Sequence, residues 1–205
     1  MSENKDWGGN RKTTYAQLGA SNHCDHDRQE LDYYETDNIA IDRLSKAYEI
    51  PKNIVEISAG NGSLSERLKE LGHNVISWDI IQRDYPLDKV QDFLEIKELP
   101  IGYSILTNPP FALSLEFILH SLDLLEDGQQ AIFFLKIQFL ESRKRYDKLF
   151  NKYPPKYVYV CTERIVCGMN GNFSNDNGKK ISSAVCYSFF VWVKNFVGET
   201  TIRWV

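Results

Sequence analysis

The stretch Ser104 to Leu113, SILTNPPFAL, joins two apolar runs through an amide, two prolines and an aromatic ring. Proline has no N–H for a ladder and a fixed φ, and it pushes the preceding residue into extended geometry, so a strand here must stop at Asn108. Beyond the strand the chain forms a rigid tip presenting a carboxamide, a proline carbonyl and the Phe111 ring, a combination that packing alone does not require. Three further clusters suit a small polar ligand. Gly60 and Gly62 would let a backbone approach closely. Asp79 stands seventeen positions beyond Gly62, near the ~20-residue offset at which an acid takes a ribose diol in dinucleotide-type folds. Asp92 sets a hydrogen-bond acceptor beside the ring of Phe93.

Strands alternating with helices must position these groups. Ile41, Leu44 and Tyr48 recur at helical spacing, with Asp37 as a cap and Pro51 beyond the end. NIVEIS then reads as a strand, AGNG as a glycine turn, and SLSERLKELG as a helix with Ser63 and Glu66 spaced as a capping box and Gly72 as its stop. NVISWD, the short VQDFLEI, YSILTN and the continuous apolar QAIFFLKI are further strands, and Leu115, Ile118, Leu122 and Leu125 line one face of a helix before the last of them. A charged helix, LESRKRYDKLFNKY, leads to KYVYVCTERI and SAVCYSFFVWV, which have no helical pattern between them and are predicted to pair antiparallel at the sheet edge. All four chemical clusters fall at the carboxyl ends of strands, where open α/β sheets bind ligands.

The bulk properties exclude several classes. At 205 residues, 42% hydrophobic and 25% charged, the chain has the composition of one globular domain. No apolar run approaches the ~18 residues of a membrane span, and the polar N-terminus shows no secretory signal. Four irregularly spaced cysteines fit a reducing, intracellular setting. His23, Cys24 and His26 lack a fourth ligand at suitable spacing, so no metal is expected. Residues 1–31 read as a flexible arm and 32–205 as the domain. The net charge of −4 conceals an asymmetry: Lys136 to Lys180 holds ten Lys/Arg against four Asp/Glu, leaving fourteen against twenty-four elsewhere. That basic third is either a solvated face or a phosphate-facing surface.

The order of the four strand-end clusters resembles class I S-adenosylmethionine-dependent methyltransferases, and the stretch from Val55 to Phe111 is similar to the phage and prophage N6-adenine DNA methyltransferases. VEISAGNGSL looks like their cofactor glycine motif, WDI like their ribose-binding acid, DFL like their adenine-ring site, NPPF like their catalytic tetrapeptide, and DYYETD like the segment before their first helix. The resemblance implies an α/β Rossmann-like fold with helices on both faces of a mostly parallel seven-stranded sheet, order 3-2-1-4-5-7-6, its last strand antiparallel. It also implies methyl transfer from S-adenosylmethionine to the exocyclic N6 amino group of adenine, in DNA before RNA, in the cytoplasm of a bacterial or phage-infected cell. Asn108, Pro109, Pro110 and Phe111 would be catalytic. Glu56, Ser58, Ala59, Gly60 and Gly62 would approach the methionine moiety, with Thr36 at its carboxylate. Asp79 would take the ribose hydroxyls and Asp92 the adenine amino group, with Phe93 or Ile80 against the ring. Phe189 would sandwich the target base, although Phe189, Phe190 and Trp192 alternate faces on their strand and core packing is the more common use of such a position.

No separate target-recognition domain fits this length. Sequence reading would fall to the basic segment and to the loop Gly168 to Lys180, where Lys179 and Lys180 are the expected nucleic-acid contacts, with short or relaxed specificity. Rival readings are an enzyme acting on adenine in structured RNA, a glutamine-modifying methyltransferase, whose tetrapeptide usually has Tyr where Phe111 stands, and a binding module without turnover.

Overall fold

The computed structural model describes residues 34–165, 167–169 and 185–205; the predicted arm and Lys179 and Lys180 lie outside them. In chain order the elements are β1 (Tyr34–Thr36), α1 (Ile39–Ala47), β2 (Asn53–Glu56), α2 (Ser63–Glu70), β3 (Asn74–Asp79), β4 (Lys89–Val90), β5 (Ser104–Thr107), α3 (Ser114–Leu124), β6 (Gln130–Lys136), α4 (Arg143–Arg145), β7 (Tyr157–Val160), β8 (Cys167–Met169), β9 (Tyr187–Val193) and β10 (Thr201–Trp204). The main sheet runs β4-β3-β2-β5-β6-β9-β7-β10, and β1 and β8 form a separate antiparallel ribbon. Neighbours are parallel except at β9, which is antiparallel to both β6 and β7. The first seven of these strands reproduce the expected order.

Alternation along the strands feeds two cores. Val55, Ile105, Phe133, Phe190 and Trp192 pack on one face with Leu115, Ile118 and Leu122 of α3. Ile54, Leu106, Ile132, Phe134 and Phe189 pack on the other with Leu44 of α1 and Leu64 and Leu68 of α2. Residues 131–135 of β6 are buried throughout, as a strand covered on both faces should be. The N-cap of α1 is Asn38, which makes no side-chain cap bond; Asp37, one residue before it, serves the helix start instead, its Oδ1 accepting from the Ile39 N–H at 3.1 Å, a donor that a helix start leaves unpaired.

The structure departs from the sequence reading in four places. The third strand is only Lys89–Val90; Phe93–Glu95 forms a 3₁₀ turn, capped where Asp92 Oδ1 accepts from the Leu94 N–H at 2.9 Å. Ser63 and Glu66 make no capping box. Gly62 at φ +80° is the N-cap of α2, and the Glu66 carboxylate instead accepts from the Tyr85 hydroxyl at 2.8 Å and from Lys69 at 3.2 Å. The charged helix is a short α turn that continues as π-helical Tyr146–Phe150. Its Arg145 guanidinium donates to the carbonyls of Phe139 at 2.7 Å, Gln138 at 3.2 Å and Glu141. Burial lowers the pKa of Arg145, and its charge serves this bend. Finally, β7 is not the edge. β10 lies outside it in parallel, joined by Thr201 N–H to Lys156 O and Val205 N–H to Val160 O, each 3.0 Å. Among the described residues no helix is long and apolar enough to cross a membrane.

Candidate active site

The chain leaves β2 toward β3 and β4, then returns to place β5 on the other side of β2. Strand order therefore reverses between β2 and β5, the position at which open α/β sheets form their binding crevice. The glycine turn follows one of these strands and Asn-Pro-Pro-Phe the other.

The turn is held open by its backbone. Gly60 has φ +57° and Gly62 φ +80°, the left-handed region that glycine enters without strain. The Gly62 N–H donates to Ala59 O at 2.7 Å, and the Ala59 N–H to Trp78 O at 2.9 Å, which ties the turn to β3. Asp79, buried at the end of β3, accepts the Gly60 N–H on Oδ2 at 2.8 Å and the Ile81 N–H on Oδ1 at 3.1 Å, with Arg83 Nη1 3.5 Å from Oδ1. Gly60 and Asp79 thus meet directly. Ser58 is half-buried. Asp92 follows β4, whose Val90 is the register partner of Asp79.

Two predicted ring contacts are corrected. Phe93 is 2% exposed, its ring centroid 5.1 Å from Phe117 and 5.0 Å from His120, so it fills the core under the strand ends. Ile80, 49% exposed beside Asp79, is the apolar side chain available there. Phe189 is 0% exposed and 4.7 Å from Phe134; it is a core residue and reaches no surface that a base could stack on.

Glu56 lies fully buried under the turn. Burial pushes its carboxyl up to about 8, and the neighbouring Asp79 charge pushes the same way, against the hydrogen bond donated by Ser65. Ser65 Oγ also lies 3.0 Å from Ser77 Oγ, which lies 3.3 Å from the Tyr85 hydroxyl. This polar thread runs from the buried acid out to Glu66 and Lys69, whose ammonium donates to Tyr85 at 2.8 Å. Ser65, Ser77 and Tyr85 were not singled out from the sequence; a serine within the strand run NVISWD was the signal for Ser77, and nothing local marks the other two.

At the β5 end, Asn108 Nδ2 donates to Thr36 Oγ1 at 2.9 Å. Thr36, expected at a cofactor carboxylate, here accepts from the carboxamide and helps to orient it. Pro110 opens a 3₁₀ turn over Phe111–Leu113; its carbonyl accepts the Leu113 N–H at 3.0 Å, and the Ser114 hydroxyl donates to Phe111 O at 3.1 Å. The half-buried Phe111 ring stands 6.1 Å from Tyr187, and the Lys136 ammonium lies 4.5 Å over it. Lys136 and Tyr187 are residues that sequence reasoning missed, one read as part of a basic run and the other as strand filler. Among the described residues no three His, Cys, Asp or Glu side chains gather as a metal site.

A candidate RNA methyltransferase from Pyrococcus horikoshii aligns over 91% of this chain and 100% of its own, with TM-score 0.57 and 18% identity. A candidate class I S-adenosylmethionine-dependent methyltransferase from Listeria monocytogenes aligns over 94% and 70%, with TM-score 0.55 and 13% identity. The fold is that of the class I methyltransferases. A candidate hemolysin from Lactococcus lactis has it too, at TM-score 0.54 and 13% identity over 88% and 93%, so on this fold the activity has to be argued from the site. No family model and no curated protein matches the chain.

Proposed function

We propose that this chain is an S-adenosylmethionine-dependent methyltransferase that acts on the exocyclic N6 amino group of adenine in DNA, with short or relaxed sequence specificity. The observation that carries the reading is the Asn108 carboxamide, fixed by its bond to Thr36 at the end of β5, across the reversal point from the glycine turn.

The residues suit the cofactor. Left-handed glycines open the turn, Asp79 is already fixed on the Gly60 N–H, and exposed Ile80 flanks it. Ser58, Ala59, Gly60 and Gly62 would hold the methionine end, with Glu56 buried beneath them as support, Asp79 the ribose hydroxyls, and Asp92 the adenine edge. When bound, S-adenosylmethionine supplies a sulfonium methyl open to attack by nitrogen.

An exocyclic amino nitrogen is a poor nucleophile because its lone pair is delocalised into the ring. Accepting its two N–H bonds at Asn108 Oδ1 and the Pro109 carbonyl would return density to nitrogen as positive charge develops there, a preorganised stabilisation of the transition state. The prolines fix both acceptors and Phe111 offers a stacking face for a base drawn out of its strand. Stacking contributes about 1–3 kcal/mol toward that extrusion. Lys179 and Lys180 would contact phosphates; their joint replacement by Ala is expected to reduce the salt slope of binding by up to about 2.

The test is nucleoside mass spectrometry on DNA and RNA from methylation-deficient cells expressing the chain, with Asn108→Ala as control. N6-methyladenine in DNA that disappears in the variant upholds the proposal. The mark in RNA alone keeps the chemistry and changes the polymer. Neither mark, despite folded protein, leaves a binding module.

A further inference from the structure

Lys136 is the last residue of β6 and the register partner of Tyr187 on β9. The Tyr187 ring is buried and stacks on Phe134 at 5.0 Å and 15°, while standing 6.1 Å from Phe111 at 31°. Phe111 is therefore backed by a packed aromatic wall, and the Lys136 ammonium lies over its ring at 4.5 Å. A base stacking on Phe111 at that position must displace this ammonium. The lysine stem is flexible and its head is a compact donor of three N–H bonds. Moved off the ring but still anchored at the end of β6, it comes to rest at the rim of whatever stacks there.

Resting on the methyltransferase reading above, we propose that Lys136 is a positioning and specificity residue for the acceptor base: its ammonium leaves the Phe111 ring for a ring-nitrogen acceptor beside the amino group of a purine. In adenine the two nitrogens nearest the amino group are N1 and N7, both acceptors. A donor at either fixes the rotation of the base in its own plane, and so aims the amino group at Asn108. A base without the acceptor would forfeit this charge-assisted bond and, with it, the fixed rotation that aims the amino group.

The experiment compares adenine, 1-deazaadenine and 7-deazaadenine at the target position of otherwise identical single-stranded oligonucleotides, in the polymer that the nucleoside assay identifies. Wild type, Lys136→Met and Lys136→Arg are measured for kcat/KM and for equilibrium binding as a function of salt. Wild type is expected to lose ~10- to 100-fold in kcat/KM on one deaza base. Lys136→Met should lose a similar factor on adenine and no longer distinguish adenine from that analogue, and Lys136→Arg should recover part of the discrimination. The inference is overturned if Lys136→Met keeps wild-type discrimination, or if wild type itself ignores both deaza substitutions, a result that needs no variant to fold. It is also overturned if Lys136→Met lowers the salt slope by about 1 with analogue discrimination intact, which would make Lys136 a phosphate contact. Failure of the underlying reading looks different: wild type then transfers no methyl group to any of the three bases, and both fall together.

Discussion

The ring of Tyr85 occupies the space that a side chain on Gly62 would need. A Cβ on Gly62 would overlap the Tyr85 ring at Cδ2 and Cγ, and the residue sits at φ +80°. The glycine turn is therefore constrained twice, by its own dihedral and by the loop that folds over it.

Gly62→Ala is expected to cost about 1–2 kcal/mol from the left-handed backbone, plus whatever is needed to move the tyrosine ring. Adding Tyr85→Ala should remove the second part and leave the first, so the double variant is more stable than the sum of the single effects predicts. Urea denaturation of the four proteins measures this coupling.

Glu56 gives stability a pH dependence of unusual sign for a carboxyl group. Its folded pKa of about 8 lies above the ordinary value of 4.5, so between these values the unfolded chain releases a proton that the folded chain keeps. Stability contributed by this group is full below about pH 4.5, falls as pH rises through the window, and levels off above about pH 8. Glu56→Gln can still accept from Ser65 and should flatten this part of the profile, gaining on wild type as pH increases. Melting temperatures from pH 5 to 9 would show it, and parallel curves would refute it.

Thr36→Val removes the acceptor of the Asn108 Nδ2 bond while keeping the shape of the side chain. Methyl transfer should fall by ~10-fold, chiefly in kcat, because the carboxamide loses one of the bonds that orient it. Asn108→Ala should fall by ~100-fold or more, as loss of a transition-state hydrogen-bonding group does. Equal losses for the two variants would contradict a purely orienting role for Thr36.

Phe189→Ala is expected to destabilise the chain by about 3–5 kcal/mol, the cost of emptying a large core site. Phe189→Leu should be much milder and leave methyl transfer near wild type. A folded Phe189→Leu protein with transfer abolished would restore Phe189 to the substrate site.

Much of this architecture was legible because central strands such as β6 are nearly continuous apolar runs, because glycines and prolines punctuate the elements, and because a strand ending in Asn-Pro-Pro cannot continue. The parts that were not have physical reasons. The side chains of β10 are all exposed, with Trp204 at 66%, so burial imprints no pattern on TIRW. Ser63 and Glu66 have capping-box spacing, but Gly62 starts the helix from the left-handed region and Tyr85 takes the Glu66 carboxylate. Phe189 and Phe190 point to opposite faces of a sheet covered on both sides, and alternation does not distinguish core from site there. Lys136 looked like the start of a basic run because its ring partner lies twenty-five positions earlier in the chain.

The insertion of β9 between β6 and β7 also governs cooperativity. Within the main sheet β7 pairs only with β9 and β10, and β10 only with β7, so in the ladder neither reaches the parallel half except through β9; a further tie is Tyr48 at the end of α1, whose ring packs on Tyr157 and Tyr159. Docking of β9 along β6 closes a loop of more than fifty residues, a non-local step whose entropy must be met before β7 and β10 gain any pairing to the centre. Loosening β9 therefore strips β7 and β10 of their ladder connection to the centre and leaves them held by packing such as that of Tyr48; it also removes the Tyr187 wall behind Phe111, while the glycine turn and Asp79 belong to the half of the sheet whose pairing is untouched.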